Sequence, residues 1–187
     1  MNAKLKKLLS IFKRKRKESG ILTHKVTAIM YDPEGIEISR QEGLNTVTTG
    51  DPTVPNHNGY VYILNRIFDD GTYSGYDPDD FVNKMQLGTG TPDNTGLGTP
   101  LTGVPSTTLI AFKSGYPTWD ISTLAAPVIT VRCEWDATFD ALSGVTEAGL
   151  FADGVGQIMM AHKTFSPALS KTTGGTLAVE WEITLSA

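Results

Sequence analysis

Two stretches in the last third of the chain alternate apolar and polar residues with a period of two, and they limit the possible fold more than any other feature. Ile129, Val131, Cys133, Trp135, Ala137 and Phe139 occupy every second position, with Thr130, Arg132, Glu134, Asp136 and Thr138 between them. Leu177, Val179, Trp181, Ile183 and Leu185 repeat the pattern around Glu180, Glu182 and Thr184. Successive side chains of a strand point to opposite faces, so each stretch predicts a half-buried strand with its apolar face inward. Two such strands predict one shared core that holds Trp135 and Trp181.

Between them lie residues 145–152 and 157–165, separated by Asp153-Gly154-Val155-Gly156, in which Asp-Gly is a strong hairpin signal. A loop over 166–175 is expected to lead into the last strand. Earlier in the chain a strand is predicted over 26–31, ended by the turn cluster Asp32-Pro33-Glu34-Gly35, with a short strand at 36–39 and further strands at 82–87 and 107–113. Residues 48–59 read as a loop. Tyr60, Leu64, Ile67 and Phe68 then take helical spacing, which predicts a short helix over 59–68 that stops at Asp69-Asp70-Gly71. From 71 to 105 turn chemistry dominates, and long surface loops of this kind more often make contacts than core.

Composition agrees with this pattern, since 19 Gly, 10 Pro and 24 Thr in 187 residues favour strands and turns. The expected fold class is mainly β. An antiparallel meander or Greek key is completed by the earlier strands into a β-sandwich, jelly-roll-like, with one short internal helix. A chain of 187 residues suits one core with appendages, read as a basic N-terminal arm over 1–20 and a sandwich domain over 21–187.

The formal charge of -4 conceals a strong asymmetry. Eight of the 16 basic residues lie in positions 1–17 with no acid among them, whereas residues 18–187 hold eight basic against 20 acidic residues. Arm and body therefore seek different partners. In the arm Leu5, Leu8, Leu9 and Phe12 fall at i, i+3, i+4 and i+7, which predicts a basic amphipathic helix. Isolated helices of ~13 residues are marginal in water, so the arm is expected to order only against a surface. Its candidate docking residues are Lys4, Lys6, Lys7, Phe12, Lys13, Arg14, Lys15, Arg16 and Lys17. Docking on an acidic protein is the leading reading, beside contact with nucleic acid, an anionic membrane, or a solvated tail.

Other classes find less support. The stretch Leu8-Leu9-Ser10-Ile11-Phe12 stops at Lys13, short of the roughly 7–15 apolar residues of a signal peptide, and no run approaches the roughly 18–20 of a membrane span. The single cysteine, Cys133, forms no intrachain disulfide and sits on the apolar face of its strand, so it reads as a small buried hydrophobe. Synthesis and folding in a reducing cytoplasm are expected. His24, His57 and His162 have no neighbours at metal-ligand spacing. GxSxG, GxxxxGK[ST], HExxH and CxxC are absent. Gly88-Thr89-Gly90-Thr91 lacks the Lys-Ser/Thr ending of a phosphate loop and reads as a turn, and Asp77, Asp79 and Asp80 depart from calcium-loop spacing. No catalytic centre, metal or cofactor is expected. Adjacent Met159 and Met160 point to opposite faces of a strand, which puts one of them in a subunit contact or at an edge. A carbohydrate-binding or hydrolytic domain is the minority reading and rests on Tyr73, Tyr76, Tyr116 and Trp119.

The order of motifs adds a resemblance. Met85-Gln86-Leu87-Gly88-Thr89-Gly90-Thr91, the strand at 131–139, Thr146-Glu147-Ala148-Gly149-Leu150-Phe151, the run Met159-Met160-Ala161-His162-Lys163-Thr164-Phe165-Ser166-Pro167 and the strand at 177–184 together resemble a recurrent module of tailed-bacteriophage virion proteins, described as tail-fibre-like, head-decoration or structural. The similarity spans residues 43–187 and leaves the basic arm outside. It implies a β-sandwich, self-association and no cofactor; oligomers, trimers among them, are expected because virion appendages exploit closed symmetry, docking on other virion proteins is expected with them, and enzymatic activity is not. A capsid-decorating role is preferred to a tail, neck or fibre role, because a fibre ordinarily needs long repeats or a coiled coil. The implied location is the virion.

Overall fold

The computed structural model of the chain describes residues 22–44, 46–47, 82–91, 108–122, 127–152 and 159–185. These form ten strands in two five-stranded sheets, with every pairing antiparallel. The first sheet runs β2 (Glu37–Leu44), β1 (Leu22–Tyr31), β10 (Thr176–Leu185), β7 (Val128–Trp135), β6 (Thr118–Asp120). The second runs β3 (Thr46–Val47), β9 (Met159–Lys171), β8 (Leu142–Ala152), β4 (Val82–Gly88), β5 (Ile110–Ala111).

The alternating stretches are neighbours, as their patterning requires. Leu177 stands opposite Trp135, Val179 opposite Cys133 and Trp181 opposite Val131, so the two apolar rows merge into one. Val26 continues the Trp181 row on β1. One hydrophobic cluster takes these residues together with Met85 and Leu87 of β4, Val145, Ala148 and Leu150 of β8, and Phe165 and Leu169 of β9, and so joins the two sheets. Trp135 and Trp181 head its fully buried side chains. Burial of one large apolar side chain contributes about 1.5–3 kcal/mol, and the sum over this cluster is what offsets the ordering of the strands.

Threonine does more here than favour strands. The Thr108 hydroxyl donates to the Leu87 carbonyl at 3.0 Å and accepts from the Leu87 N–H at 3.3 Å, while the Thr108 carbonyl accepts from Trp135 Nε1 at 2.8 Å. One buried residue thus ties a strand of the second sheet to the core indole of the first. Thr146 treats Gly90 in the same way, at 2.7 and 2.8 Å. The glycine run after β4 is therefore a pinned turn, with Gly90 at φ 122°.

The turn after β1 follows its sequence closely. Asp32 Oδ1 accepts from the Ile36 N–H at 2.7 Å, and Gly35 adopts φ 82°, a conformation that other residues rarely take. Beyond it, β2 extends to Leu44, past the predicted end at 39, and the chain enters the second sheet at β3 after one further residue. Gln41 Nε2 donates to the Pro167 carbonyl at 2.8 Å and Lys163 Nζ to the Leu44 carbonyl at 3.0 Å, which fastens β2 to β9 across the two sheets.

Several expectations need correction. The predicted loop over 166–175 is mostly strand, because β9 runs through Ser166 and Pro167 to Lys171. The ladder between β8 and β9 is broken between the Val145–Leu169 and Glu147–Thr164 pairs, so Pro167, which has no N–H to give, lies where none is required. β7 ends at Trp135 rather than at 139: Asp136 Oδ1 accepts from the Thr138 N–H at 2.9 Å and from its hydroxyl at 2.7 Å, which turns the chain away. The strand expected over 107–113 is reduced to the two residues of β5. Met159 and Met160 are both buried, so neither side chain is available for a subunit contact. The expected helix over 59–68 and the loop over 48–59 lie outside the described residues, as does the N-terminal arm.

Candidate functional site

The outward face of the first sheet carries a lattice of charges. On β7, Arg132 Nε donates to Glu134 Oε1 at 2.8 Å, and its other nitrogens reach Glu180 on β10 at 3.4 Å and the Tyr31 hydroxyl on β1 at 3.5 Å. Glu134 also takes Lys113 Nζ at 2.6 Å. On β2, Arg40 grips Glu37 through two hydrogen bonds of 2.9 and 2.8 Å and approaches Glu42 at 3.7 Å, while Glu42 accepts from Lys25 of β1 at 3.1 Å. Opposed strands bring such side chains within reach because directly opposite residues share a face.

Burial works against the Arg132 charge, but the Tyr31 hydroxyl and Glu134 outweigh it and raise the guanidinium pKa, so Arg132 remains a cation. Hydrogen bonding to Arg40 holds Glu37 below the usual carboxylate range. Exposed pairs of this kind are screened by water and salt and add little to stability, so the β2 row has little value as a fastening. What it offers is a fixed order of charges along an edge.

The edges of this sheet also hold the exposed large apolar side chains. Ile36, Ile38 and Leu44 lie on or beside β2, with Leu44 72% exposed, and Trp119 and Ile121 lie on or after β6, with Trp119 67% exposed. Trp119 stands opposite Ile129, which stands opposite Ile183, which stands opposite His24. One row therefore runs from an exposed indole to a buried imidazole. The exposed apolar side chains among the described residues are thus divided between the two opposite edges of this sheet.

Several residues of reactive type among the described residues are buried. Burial pushes the Cys133 thiol up to about 12, and its sulfur donates to the Ala111 carbonyl at 3.3 Å and the Ile110 carbonyl at 3.6 Å. Nucleophilic chemistry needs the thiolate, which is absent at neutral pH. His24 is buried and its pKa falls to about 4 for that reason. Lys171 is buried with its ammonium donating to the carbonyls of Phe139, Asp140 and Thr172 at 2.7, 3.2 and 3.3 Å; desolvation lowers its pKa while Asp136 and Asp140 oppose the shift. Glu147 is fully buried beside Gly88, where an added Cβ would collide with the Glu147 side chain. Among the described residues no group of three His, Cys, Asp or Glu could hold a metal ion, and no helix is long and apolar enough to cross a membrane.

Of the residues picked out by sequence, the arm set Lys4, Lys6, Lys7, Phe12, Lys13, Arg14, Lys15, Arg16 and Lys17 lies outside the described residues, as do His57, Asp77, Asp79, Asp80, Tyr73 and Tyr76. Tyr116 is half-buried and Trp119 exposed. The Arg132 lattice, the Lys171 cap and the β2 edge were not foreseen. Their residue types were visible, but each depends on register or on distant carbonyls. No protein-family model, curated protein or solved structure matches the chain.

Proposed function

We propose that the two sheets form a β-sandwich of jelly-roll type that serves as a structural protein of a tailed-phage particle. In this reading the sandwich sits on the capsid as a decoration, self-associates, and is attached to an acidic surface of another virion protein by the basic arm; a tail, neck or fibre position is the alternative within the class. The protein is not an enzyme and needs no cofactor. The motif order over residues 85–184 brings the phage particle into view, and one structural observation supports an inert, contact-making role: the cysteine and the buried lysine of the described residues are hydrogen-bonded to backbone carbonyls and the histidine His24 is buried, while apolar side chains stand exposed at sheet edges. The acidic body keeps copies soluble before assembly.

Removal of residues 1–17 tests the attachment. The truncated protein is expected to keep its β-sheet circular dichroism and its thermal transition, and to lose co-sedimentation with particles stripped of it. Retained binding contradicts docking through the arm. A second reading, contact with packaged nucleic acid or an anionic membrane, is favoured by the eight cations of the arm. It predicts that the full chain binds duplex DNA or anionic vesicles at low salt, with affinity falling steeply as salt rises.

A further inference from the structure

Among the described residues the two sheets present four edges, and three of them end in strands of two or three residues: β3, β5 and β6. Short edge strands are one way in which a sheet avoids pairing with another chain. The fourth edge, β2, has eight residues and no proline. It pairs with β1 on one side, and among the described residues no strand pairs with the other. Its solvent-facing row reads Ile38, Arg40, Glu42, Leu44, with Ile38 56% and Leu44 72% exposed.

That row is complementary to itself when reversed. We infer that β2 is where two copies of this chain join, antiparallel about a two-fold axis at Gln41, so that their first sheets merge. Ile38 of one copy then faces Leu44 of the other, Arg40 faces Glu42, Ser39 faces Gly43, and Gln41 meets its own counterpart. Each outward charge gains an opposite charge and each exposed apolar side chain an apolar neighbour, the pairs that stabilise a sheet. The inference rests on the self-association in the proposed function and names its surface.

Neighbouring registers fail on the same grounds. With the axis at Arg40, Arg40 faces Arg40 and Ile38 faces Glu42. With the axis at Glu42, Glu42 faces Glu42 and Arg40 faces Leu44. An axis between two residues sets groups that point outward against groups already directed at β1, so no ladder forms. The charges that would guard this edge against indiscriminate pairing thus select one partner and one register. A two-fold contact of this kind is closed, which stops growth at the dimer.

Analytical ultracentrifugation of the full chain over a wide concentration range tests the inference. The wild-type protein is expected to be a dimer. Arg40→Glu and Glu42→Arg each set like charges against one another at both symmetric positions, and each is expected to weaken the dimer by roughly tenfold or more. The double variant carrying both reversals is expected to recover it, since the charges are exchanged and not removed. Arg40 and Glu42 are exposed, so the β-sheet circular dichroism should hold in all three variants and serves as the control for folding. Gln41→Cys adds a check on register, because opposite Cα atoms of an antiparallel pair lie about 4.5–5.5 Å apart, within disulfide reach. The native Cys133 is buried, so a covalent dimer under mild oxidation is expected through position 41. A monomer at every concentration overturns the inference, and so does an oligomer indifferent to both single reversals. The latter leaves self-association standing through another surface. Absence of the protein from phage particles, by contrast, removes the proposed function and leaves this dimer test unaffected.

Discussion

Replacement of Trp181 by alanine is expected to destabilise the protein by about 3–5 kcal/mol, a large part of the ~5–15 kcal/mol that holds an ordinary domain together. Trp181 is fully buried, lies between Val26 and Val131 in its row, and belongs to the cluster that joins the two sheets. Its removal leaves a cavity that neighbouring β-branched side chains fill poorly. Urea titration followed by circular dichroism measures the loss. Trp181→Phe is expected to cost much less, because Trp181 Nε1 has no hydrogen-bond partner to forfeit among the described residues. Trp135 differs in this respect, since its indole donates to the Thr108 carbonyl at 2.8 Å. Trp135→Phe strands that buried acceptor at a further cost of about 1–3 kcal/mol. Equal losses for the two phenylalanine variants contradict the asymmetry.

Acid is expected to weaken the fold through His24. Its folded pKa is about 4 against an ordinary 6.5, because burial disfavours the imidazolium. The unfolded chain therefore binds the proton more readily than the native one, and stability rises with pH across the interval between the two values. The contribution is fully present above pH 6.5, declines as the pH falls towards 4, and amounts to about 3 kcal/mol over the whole window. Asp136 loses its contribution at lower pH, because the Thr138 hydroxyl and N–H hold its carboxyl below the usual range. Unfolding free energies measured between pH 7 and pH 4 should slope for the wild-type protein and flatten for His24→Leu. A wild-type profile that is flat over this window contradicts the burial assigned to His24.

The parts of the fold that could be read from sequence are those in which one face is dry and the other wet. The rows around Trp135 and Trp181 alternate because the inner side chains enter the core while Arg132, Glu134, Glu180 and Glu182 stay half-buried outside. The second half of β2 gives no such signal: Arg40-Gln41-Glu42-Gly43 lies on an edge with water on most sides, so polar residues satisfy both faces. β9 was obscured for a different reason. Ser166-Pro167 carries the local chemistry of a turn, and only the broken ladder opposite it makes a proline acceptable inside a strand.

Function was less legible than fold for a related reason. Lys171 reads as a surface charge beside Ser170 and Thr172, yet three carbonyls, two of them about thirty residues away, draw it inside. The Arg132 lattice required the pairing of β1, β10 and β7 before its members could be matched. The basic arm was conspicuous because charge density needs no register, and the β2 edge was silent because its complementarity emerges only when the strand is set against its own reverse. In the proposed function both are contact features, and neither calls for a reactive group.

Quantitative mass spectrometry of purified phage particles from the culture that carries this gene tests the central claim most directly. The account predicts the chain in many copies per particle, in a fixed ratio to the major capsid protein and retained through density-gradient purification. Its absence from such particles, with the protein recovered instead in the lysate as a soluble species, contradicts the account.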